Sequence, residues 1–216
     1  QLASTLQLKP GDLVLIVADP EEQIVFDALG GLRLQLGQKL GLQPKPGEGK
    51  PAFLWVTHFP LLEYNLADRR YYARHHPFTS PRPEYFEDFL AHRNLDRMEA
   101  CAYDLVLNGW EIGGGSQRIF RKDIQDAMFG LLGISPEEAQ EKFGFFLEAL
   151  QYGTPPHGGI AFGVDRLAAI LCGVGPIRDV MAFPKTQKGH CTMSESPSAV
   201  APEQLVEVGI RLSKAE

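Results

Sequence analysis

Two carboxylates, three consecutive glycines and an arginine lie close together in YDLVLNGWEIGGGSQR, residues 103–118. Asn108-Gly109 is the strongest two-residue turn signal, and the alternating apolar residues around it predict a β-hairpin. With these two residues as the loop, Val106 pairs with Glu111. Asp104 then lies diagonally across from Glu111 on the same face, roughly 7–8 Å away at the backbone. Because two such carboxylates repel, the hairpin predicts a site for Mg²⁺ carried by a phosphate substrate. The alternative is a polar, solvated hairpin face.

The second strand of this hairpin continues through Gly113–Gly115. Three residues without side chains leave room for a flat or bulky ligand. They also invite a β-bulge, so alternation along the strand does not predict which face Arg118 takes. If Arg118 lies on the side of the carboxylates, its planar guanidinium suits a carboxylate ligand.

A second candidate site is PPHGGIAFGVDRL, residues 155–167. A strand bracketed by glycines enters a helix whose first turn carries Asp165 and Arg166. The free N–H groups and the dipole at a helix N-terminus attract anions, and an adjacent arginine favours a terminal phosphate. The alternative for Arg166 is a surface ion pair.

Adjacent histidines, His75 and His76, form a third candidate in ARHHPFTSP. On a loop bounded by prolines they could bind a substrate, bind zinc or pack inside the protein. A zinc site needs further ligands at suitable spacing, and none is near in the sequence. Substrate binding and a structural role both remain open.

Composition limits the classes of protein. The 216 residues are 44% hydrophobic, enough for one large domain or for one domain with a small appendage. A formal charge of −6 argues against affinity based on a general basic surface. Three scattered cysteines predict reduced thiols, and no apolar run of about 18 residues suggests a membrane span. The N-terminal residues resemble the middle of a domain, so they do not predict to which compartment the protein is targeted.

The N-terminal part predicts a strand and a helix. Leu13–Val17 is an apolar run typical of a buried strand, and Asp19 is the expected N-cap of the helix that follows. One helical stripe has spacing four: Ile24, Ala28, Leu32, Leu36 and Leu40. Gly30-Gly31 in mid-helix predicts close packing there. The proline- and glycine-rich segment Gln43–Pro51 is the expected domain boundary.

The remaining chain predicts an α+β fold with a mixed sheet. The expected strands are AFLWVTHFP, the two arms of the hairpin and GGIAFG. The expected helices lie near Pro83–Leu90 and Arg121–Leu132, after the capping box at Ser135, and in the segment that ends at Gly173.

These stretches, in this order, resemble aspartyl-tRNA synthetases of the bacterial and organellar type, which are class II enzymes. The resemblance rests on HHPFT, YDLVLNGWEIGGGSQRI, EKFGFFLEALQYGTPPHGGIAFGVDRL and IRDVMAFPKT. GGIAFGVDRL resembles the third class II signature motif, and MSESPS resembles the C-terminal segment of the family. The resemblance implies that residues 1–46 are the end of an inserted α/β domain. Residues 47–216 are then the C-terminal part of a catalytic domain with a mainly antiparallel sheet and helices.

The resemblance also implies site residues. Glu111 matches the acid at the ATP–magnesium site, and Asp104 matches the second acid there. Arg118 matches the arginine that pairs with the side-chain carboxylate of aspartate, and His75 and His76 match positions near the bound amino acid. The residues matching the ATP-contacting segment are Gly163, Val164, Asp165 and Arg166, of which the last matches the arginine on the terminal phosphate. Valine replaces the usual leucine at residue 164, and no residue is assigned as general acid or base.

The implied reaction converts L-aspartate and ATP, with Mg²⁺ as cofactor, to aspartyl-adenylate and pyrophosphate. The aspartyl group then passes to tRNA(Asp), and use of tRNA(Asn) is left open. A homodimer, no membrane, and a bacterial cytoplasmic, mitochondrial or plastid location are expected of the full-length protein. The anticodon-binding domain and the first two class II motifs have no counterpart in these residues, so we expect this chain alone to be an incomplete enzyme. The alternatives are a truncated non-catalytic paralogue that binds an aspartate-like ligand or a partner, another class II activity such as asparagine activation, and a structural domain.

Overall fold

The computed structural model describes residues 2–44 and 48–213. They form two compact units, of which the first ends at Gly49 and the second begins at Lys50. The predicted boundary between residues 46 and 47 lies outside the described residues. No helix in the described part of the chain has the length and apolar character needed to cross a bilayer.

The first unit contains the helices α1 (Leu2–Thr5) and α2 (Glu22–Lys39). The predicted strand at Leu13–Val17 is wrong, because these residues have no regular structure. Within the described residues of this unit no strand offers hydrogen bonds to them, and an isolated strand leaves its backbone groups unpaired. Leu13 is accordingly 77% exposed.

Helix α2 begins later than the sequence predicts. Its N-cap is Glu21, and the Asp19 carboxylate instead accepts the N–H of Glu21 at 2.9 Å, which forms a turn before the helix. No residue of α2 is buried. A Cβ at Gly30 or Gly31 would meet no described atom within 4 Å, so the close packing expected at these glycines is absent there.

The second unit is built on antiparallel sheet, as the α+β prediction requires. The described residues of this unit form the strands β1 (Phe53–Val56), β2 (Leu62–Asn65), β3 (Arg70–Ala73), β4 (Ala102–Leu107), β5 (Trp110–Gln117) and β6 (Gly158–Phe162). The larger sheet has the order β1-β4-β5-β6, and β2 pairs with β3 separately. Every pairing between these strands is antiparallel.

Helices cover part of this sheet and complete the core. They are α3 (Phe86–Leu90), α4 (Lys122–Leu131), α5 (Pro136–Leu150), α6 (Val164–Cys172) and α7 (Pro202–Glu207), with 3₁₀ turns at Pro83–Tyr85, Leu95–Arg97 and Ile177–Asp179. Ser135 caps α5 by accepting the N–H of Glu138 at 3.2 Å. Gly173 ends α6 in the left-handed conformation, with φ of 67°. Both predicted helix signals are confirmed.

The core lies between these helices and the strands. Its buried residues are Leu61, Leu62, Phe89, Met98, Ala100, Ala102, Ile119, Ile124, Met128 and Leu132. Each large apolar side chain buried in this way stabilises the fold by about 1.5–3 kcal/mol. The core therefore fixes α4 on the segments that carry the candidate site.

The β4–β5 hairpin has the predicted turn and the predicted pairing next to it. Val106 pairs with Glu111, and Asn108 and Gly109 both have positive φ, as a two-residue hairpin loop requires. The register shifts beyond this pair, because Leu105 pairs with Gly113 and Ile112 is left without a partner on β4. The expected bulge is therefore present, one residue before the three glycines.

The three glycines of β5 are explained by protein atoms. A Cβ at Gly113 would lie 2.8 Å from the Phe162 ring, and a Cβ at Gly115 would overlap the carbonyl oxygen of Gly159. At Gly114 it would lie 2.5 Å from a carboxylate oxygen of Asp104. β6 and a carboxylate thus fill the space that these side chains would take, while Gly114 and Gly115 also line a cavity of about 370 Å³. The room predicted for a ligand stays a prediction.

We expect Gly115→Ala to destabilise the protein. The added methyl group would push β5 away from the backbone of Gly159, and such overpacking costs about 1–3 kcal/mol. The free energy of unfolding in urea measures this effect.

Gly130→Ala is the matched control. Gly130 lies in α4 with open space around its Cβ position, so alanine should leave stability unchanged or raise it by up to about 1 kcal/mol. Equal behaviour of the two variants would show that β5 and β6 are not this close.

Candidate active site

Two carboxylates converge on one face of the hairpin. Asp104 on β4 pairs with Gly114, and Glu111 precedes the bulge on β5. The position that a Cβ of Gly114 would occupy lies 2.5 Å from Asp104 Oδ1 and 3.5 Å from Glu111 Oε1. The two acids therefore share a face, as predicted. The bulge changes their relative position along the hairpin. Without it Asp104 would pair with Gly113, whereas it pairs with Gly114.

The electrostatics of this pair favour a cation. Burial and, after it, the negative charge of Glu111 raise the pKa of Asp104, while His75 partly offsets the shift. Among the described residues, no group of three or more His, Cys, Asp or Glu side chains could hold a metal ion. Two carboxylates fit Mg²⁺ that takes its other oxygen ligands from substrate phosphates and water.

The carboxylates line a cavity of about 370 Å³. Its lining residues are His75, His76, Asp104, Glu111, Gly114, Gly115, Ser116, Arg118 and Ala161. The structure thus brings together the predicted carboxylates, both histidines and Arg118 around one space. The His75 ring is held edge-on against Phe59, with ring centroids 5.0 Å apart.

Arg118 lies beside His76 at this cavity. Its guanidinium contacts the His76 ring, which places Arg118 on the side of the carboxylates, a point that the sequence left open. Burial, followed by the charges of Arg118 and His75, lowers the pKa of His76. His76 is therefore mostly neutral at pH 7. Within the described residues Arg118 forms no ion pair, so its charge is available to an anionic ligand.

Two buried hydroxyls extend the contacts of His76. Thr79 Oγ1 lies 3.4 Å from the His76 ring and 3.4 Å from Ser116 Oγ. Thr79 and Ser116 are both buried, and Ser116 also lines the cavity. Sequence reasoning missed these two residues. Thr79 belongs to the HHPFT motif, which was a usable signal, whereas nothing in the local sequence marks Ser116.

The irregular loop that carries the histidines is anchored by its own next residues. Phe78 packs edge-on against Phe129, Phe143 and Phe146, with ring centroids 5.0–6.0 Å apart. The side-chain amide of Gln125 on α4 donates a hydrogen bond of 2.9 Å to the carbonyl of Pro77. Gln125 is fully buried, and its Oε1 has no hydrogen-bond partner among the described residues. The loop therefore depends on α4 and α5 for its position.

The predicted ATP-contacting segment lies at the start of α6. The Gly163 N–H donates to the carbonyl of Ile112 at 2.9 Å, which attaches the N-cap of α6 to the bulge. Arg166 donates to the carbonyl of Glu111 at 2.6 Å and lies 3.6 Å from its carboxylate. Val164 and Asp165 are exposed. None of the four lines the 370 Å³ cavity, and Arg166 reaches it only through Glu111.

We expect Asp104→Asn to change how stability depends on pH. The raised pKa of Asp104 means that the folded protein binds this proton at a higher pH than the unfolded chain does. Its contribution to stability is therefore complete below the unfolded pKa and is lost as pH rises through the folded pKa. The variant lacks this loss, so its free energy of unfolding should rise relative to that of the unmodified chain as pH increases from about 3.8, the ordinary pKa of this carboxyl group, towards neutral.

Urea denaturation across this range measures the difference. Asp96→Asn is the control, because Asp96 is exposed. A difference between Asp104→Asn and the unmodified chain that stays constant with pH would contradict the electrostatic account.

We expect Arg118→Met to raise the pKa of His76. Methionine keeps apolar volume beside the ring but removes the positive charge, so the pKa should move towards the ordinary value without reaching it. An NMR titration of the imidazole measures the shift. Arg121→Met is the control, since Arg121 pairs with Asp123. An unchanged His76 pKa in Arg118→Met would show that the guanidinium does not act on this ring.

Comparison with known proteins shows to which family the chain belongs. The family model of class II tRNA synthetases (D, K and N) matches residues 34–187. A relative from Syntrophomonas wolfei, named aspartate–tRNA(Asp/Asn) ligase, is 55% identical over 98% of this chain and 35% of its own length. A relative of the same name from Symbiobacterium thermophilum is 53% identical over 98% of this chain and 36% of its own length.

Among solved structures, an aspartyl-tRNA synthetase from Entamoeba histolytica aligns with 20% identity, a TM-score of 0.45 and coverage of 87% of this chain and 30% of its own. The chain spans about a third of the length of the curated relatives it matches. The family match covers both strands of the hairpin, the histidine loop and the start of α6. On this match the chain belongs to the class II tRNA synthetases of the D, K and N group.

Proposed function

We propose that this chain is the C-terminal part of an aspartate–tRNA ligase, which activates L-aspartate with ATP and transfers it to tRNA. The observation that carries the proposal is the convergence of Arg118, Asp104 and Glu111 on one cavity, in a chain 53–55% identical to ligases of that name. The proposed substrates are ATP, L-aspartate and tRNA(Asp), and the names of the relatives extend this to tRNA(Asn).

The amino-acid end of the site is proposed to be the Arg118 side. A guanidinium without an acidic partner among the described residues can pair through two parallel hydrogen bonds with the side-chain carboxylate of aspartate. His76 is mostly neutral there, so it adds a hydrogen-bonding group without a second full charge. His75, on the same cavity, is proposed to contact the bound amino acid.

The nucleotide end is proposed to run from the carboxylates to α6. Asp104 and Glu111 would hold Mg²⁺, which when bound offsets the negative charge of the ATP phosphates. Arg166 would hold the terminal phosphate, and Gly163, Val164 and Asp165 would contact the nucleotide at the N-terminus of α6. The contact between Arg166 and Glu111 supports this arrangement, because it joins the two groups that would meet the same phosphates.

The proposed reaction needs no general acid or base from these residues. The α-carboxylate of aspartate attacks the α-phosphorus of ATP, the bond to the bridging oxygen breaks, and pyrophosphate leaves. A terminal ribose hydroxyl of the tRNA then takes the aspartyl group, and AMP leaves. Arg118 orients the amino acid and Arg166 offsets phosphate charge, so catalysis rests on position and electrostatics. We also propose a homodimeric full-length protein in bacterial cytoplasm, mitochondria or plastids.

Calorimetry with a non-hydrolysable aspartyl-adenylate analogue and Mg²⁺ tests the proposal. We expect Arg118→Ala to weaken binding at least tenfold, about 1.4 kcal/mol, because the carboxylate of the ligand loses its paired donors. Arg118→Lys should recover part of the affinity, since lysine keeps the charge but not the two-pronged geometry. The asparaginyl-adenylate analogue should be less sensitive to both changes, because its side chain is neutral.

Arg121→Ala is the matched control, an exposed arginine three residues away that pairs with Asp123. Binding that is absent in the unmodified chain, or equally affected by the changes at Arg118 and Arg121, would contradict the proposed site.

A further inference from the structure

A second cavity lies on the segment that follows α6, and it shares no lining residue with the site described above. Its volume is about 560 Å³, and it is lined by Arg178, Thr186, Gln187, Lys188 and His190. Arg178 belongs to the 3₁₀ turn Ile177–Asp179, which contacts α6. The other lining residues lie on the loop that follows. The turn that supplies Arg178 thus packs against the helix that begins with the proposed ATP-contacting segment.

Hydrogen bonds within the loop fix the shape of this cavity. The N–H of Thr186 donates to the carbonyl of His190 at 2.8 Å, and the N–H of His190 donates to Thr186 Oγ1 at 3.1 Å. Gly189 closes the turn with a positive φ and a 2.9 Å hydrogen bond to the carbonyl of Thr186. Lys185 and Cys191 form an isolated bridge at its base. A loop already held in this way loses little conformational entropy on binding a ligand.

The charge of this region is opposite to that of the chain. Between Ile177 and Ser194 there are three cationic residues, Arg178, Lys185 and Lys188, and one acidic residue, whereas the whole sequence has 27 acidic and 21 basic residues. In the described part of the chain none of the three forms an ion pair. Lysines on α4 and α5 instead pair with acids one turn away. Two of these cations, Arg178 and Lys188, line the cavity, so it carries positive charge that no acid among the described residues pairs with.

The donors around the cavity match phosphate oxygens. Arg178 offers a planar set of N–H groups, Lys188 a point charge, and Thr186 and Gln187 neutral donors. Such a mixture of charged and neutral donors is typical of contacts to a nucleic-acid backbone, which fix its position without reading its sequence.

We propose that this cavity binds backbone phosphates of the tRNA, an inference that rests on the proposed function for the identity of the RNA. Helix α6 has nine residues and a length of about 13 Å, which a strand of about four nucleotides spans. The 3₁₀ turn that carries Arg178 contacts α6, so this cavity and the proposed nucleotide end are attached to the same helix.

Fluorescence anisotropy with a labelled tRNA(Asp) transcript tests the inference on the full 216-residue chain. We expect Arg178→Gln combined with Lys188→Gln to weaken binding at least tenfold at low salt. The slope of log affinity against log salt should fall by about 1.4–1.8, because two phosphate contacts are lost. Lys122→Gln combined with Lys142→Gln is the control, since it removes the same charge from positions that are paired with acids. Thermal denaturation verifies that both variants fold.

Two further titrations separate RNA phosphate from a small phosphate ligand, and they separate this proposal from the proposed function. Inorganic pyrophosphate, titrated by calorimetry, reports on a small anion. Binding of pyrophosphate that depends on Arg178 and Lys188, together with tRNA binding that does not, would overturn the RNA assignment. Absence of tRNA binding, or equal loss in the test and control variants, would overturn it as well. Binding of the aspartyl-adenylate analogue to the Arg178→Gln, Lys188→Gln variant should be unchanged, so failure of one proposal is visible without failure of the other.

Discussion

The close approach of β5 and β6 determines where the other parts of the candidate site lie. The two strands pair from Gly113 to Gln117, and a side chain at Gly115 would overlap the backbone of β6. This pairing ends at the bulge, where the N–H of Gly163 bonds to Ile112. Helix α6 therefore begins beside Glu111, and Arg166 can reach it. Without the glycines of β5, the carboxylates and the arginine of α6 would belong to separate parts of the surface.

The histidine loop depends on a different kind of support. It contains no helix or strand, so its position comes from side chains on both sides of His76 and from backbone hydrogen bonds to the end of β5. Phe78 lies among the aromatic rings of α4 and α5, and the Gln125 amide holds the carbonyl of Pro77. Buried polar groups are costly unless they are hydrogen-bonded, so such contacts select one arrangement of the loop. The sheet side adds a bridge between Thr79 and Arg118 and a 2.9 Å hydrogen bond from the N–H of Ile119 to the carbonyl of Phe78, which bring His76 close to Arg118.

Local signals in the sequence predicted a large part of this arrangement. The Asn108-Gly109 turn, the cap at Ser135 and the end of α6 at Gly173 depend on a few neighbouring residues, and the structure contains all three. The strand predicted at Leu13–Val17 is wrong because a strand also needs a partner, and apolar sequence alone does not supply one. The close contacts of the β5 glycines could not be predicted for a similar reason, since the atoms that exclude their side chains come from β6 and β4. Ser116 could not be found from sequence, because its importance comes from Thr79, which lies 37 positions earlier.

The position of Phe78 among three phenylalanine rings has a consequence for local unfolding. Phe143 and Phe146 belong to α5, so partial opening of that helix removes two of the three rings around Phe78. Helix ends and surface helices open at lower free energy than the whole domain. The loop beside Phe78 would then lose its anchor while the sheet and both carboxylates remain folded. Ligand affinity on the histidine side of the cavity is therefore coupled to the local stability of α5, and it would decline on heating before the global unfolding transition.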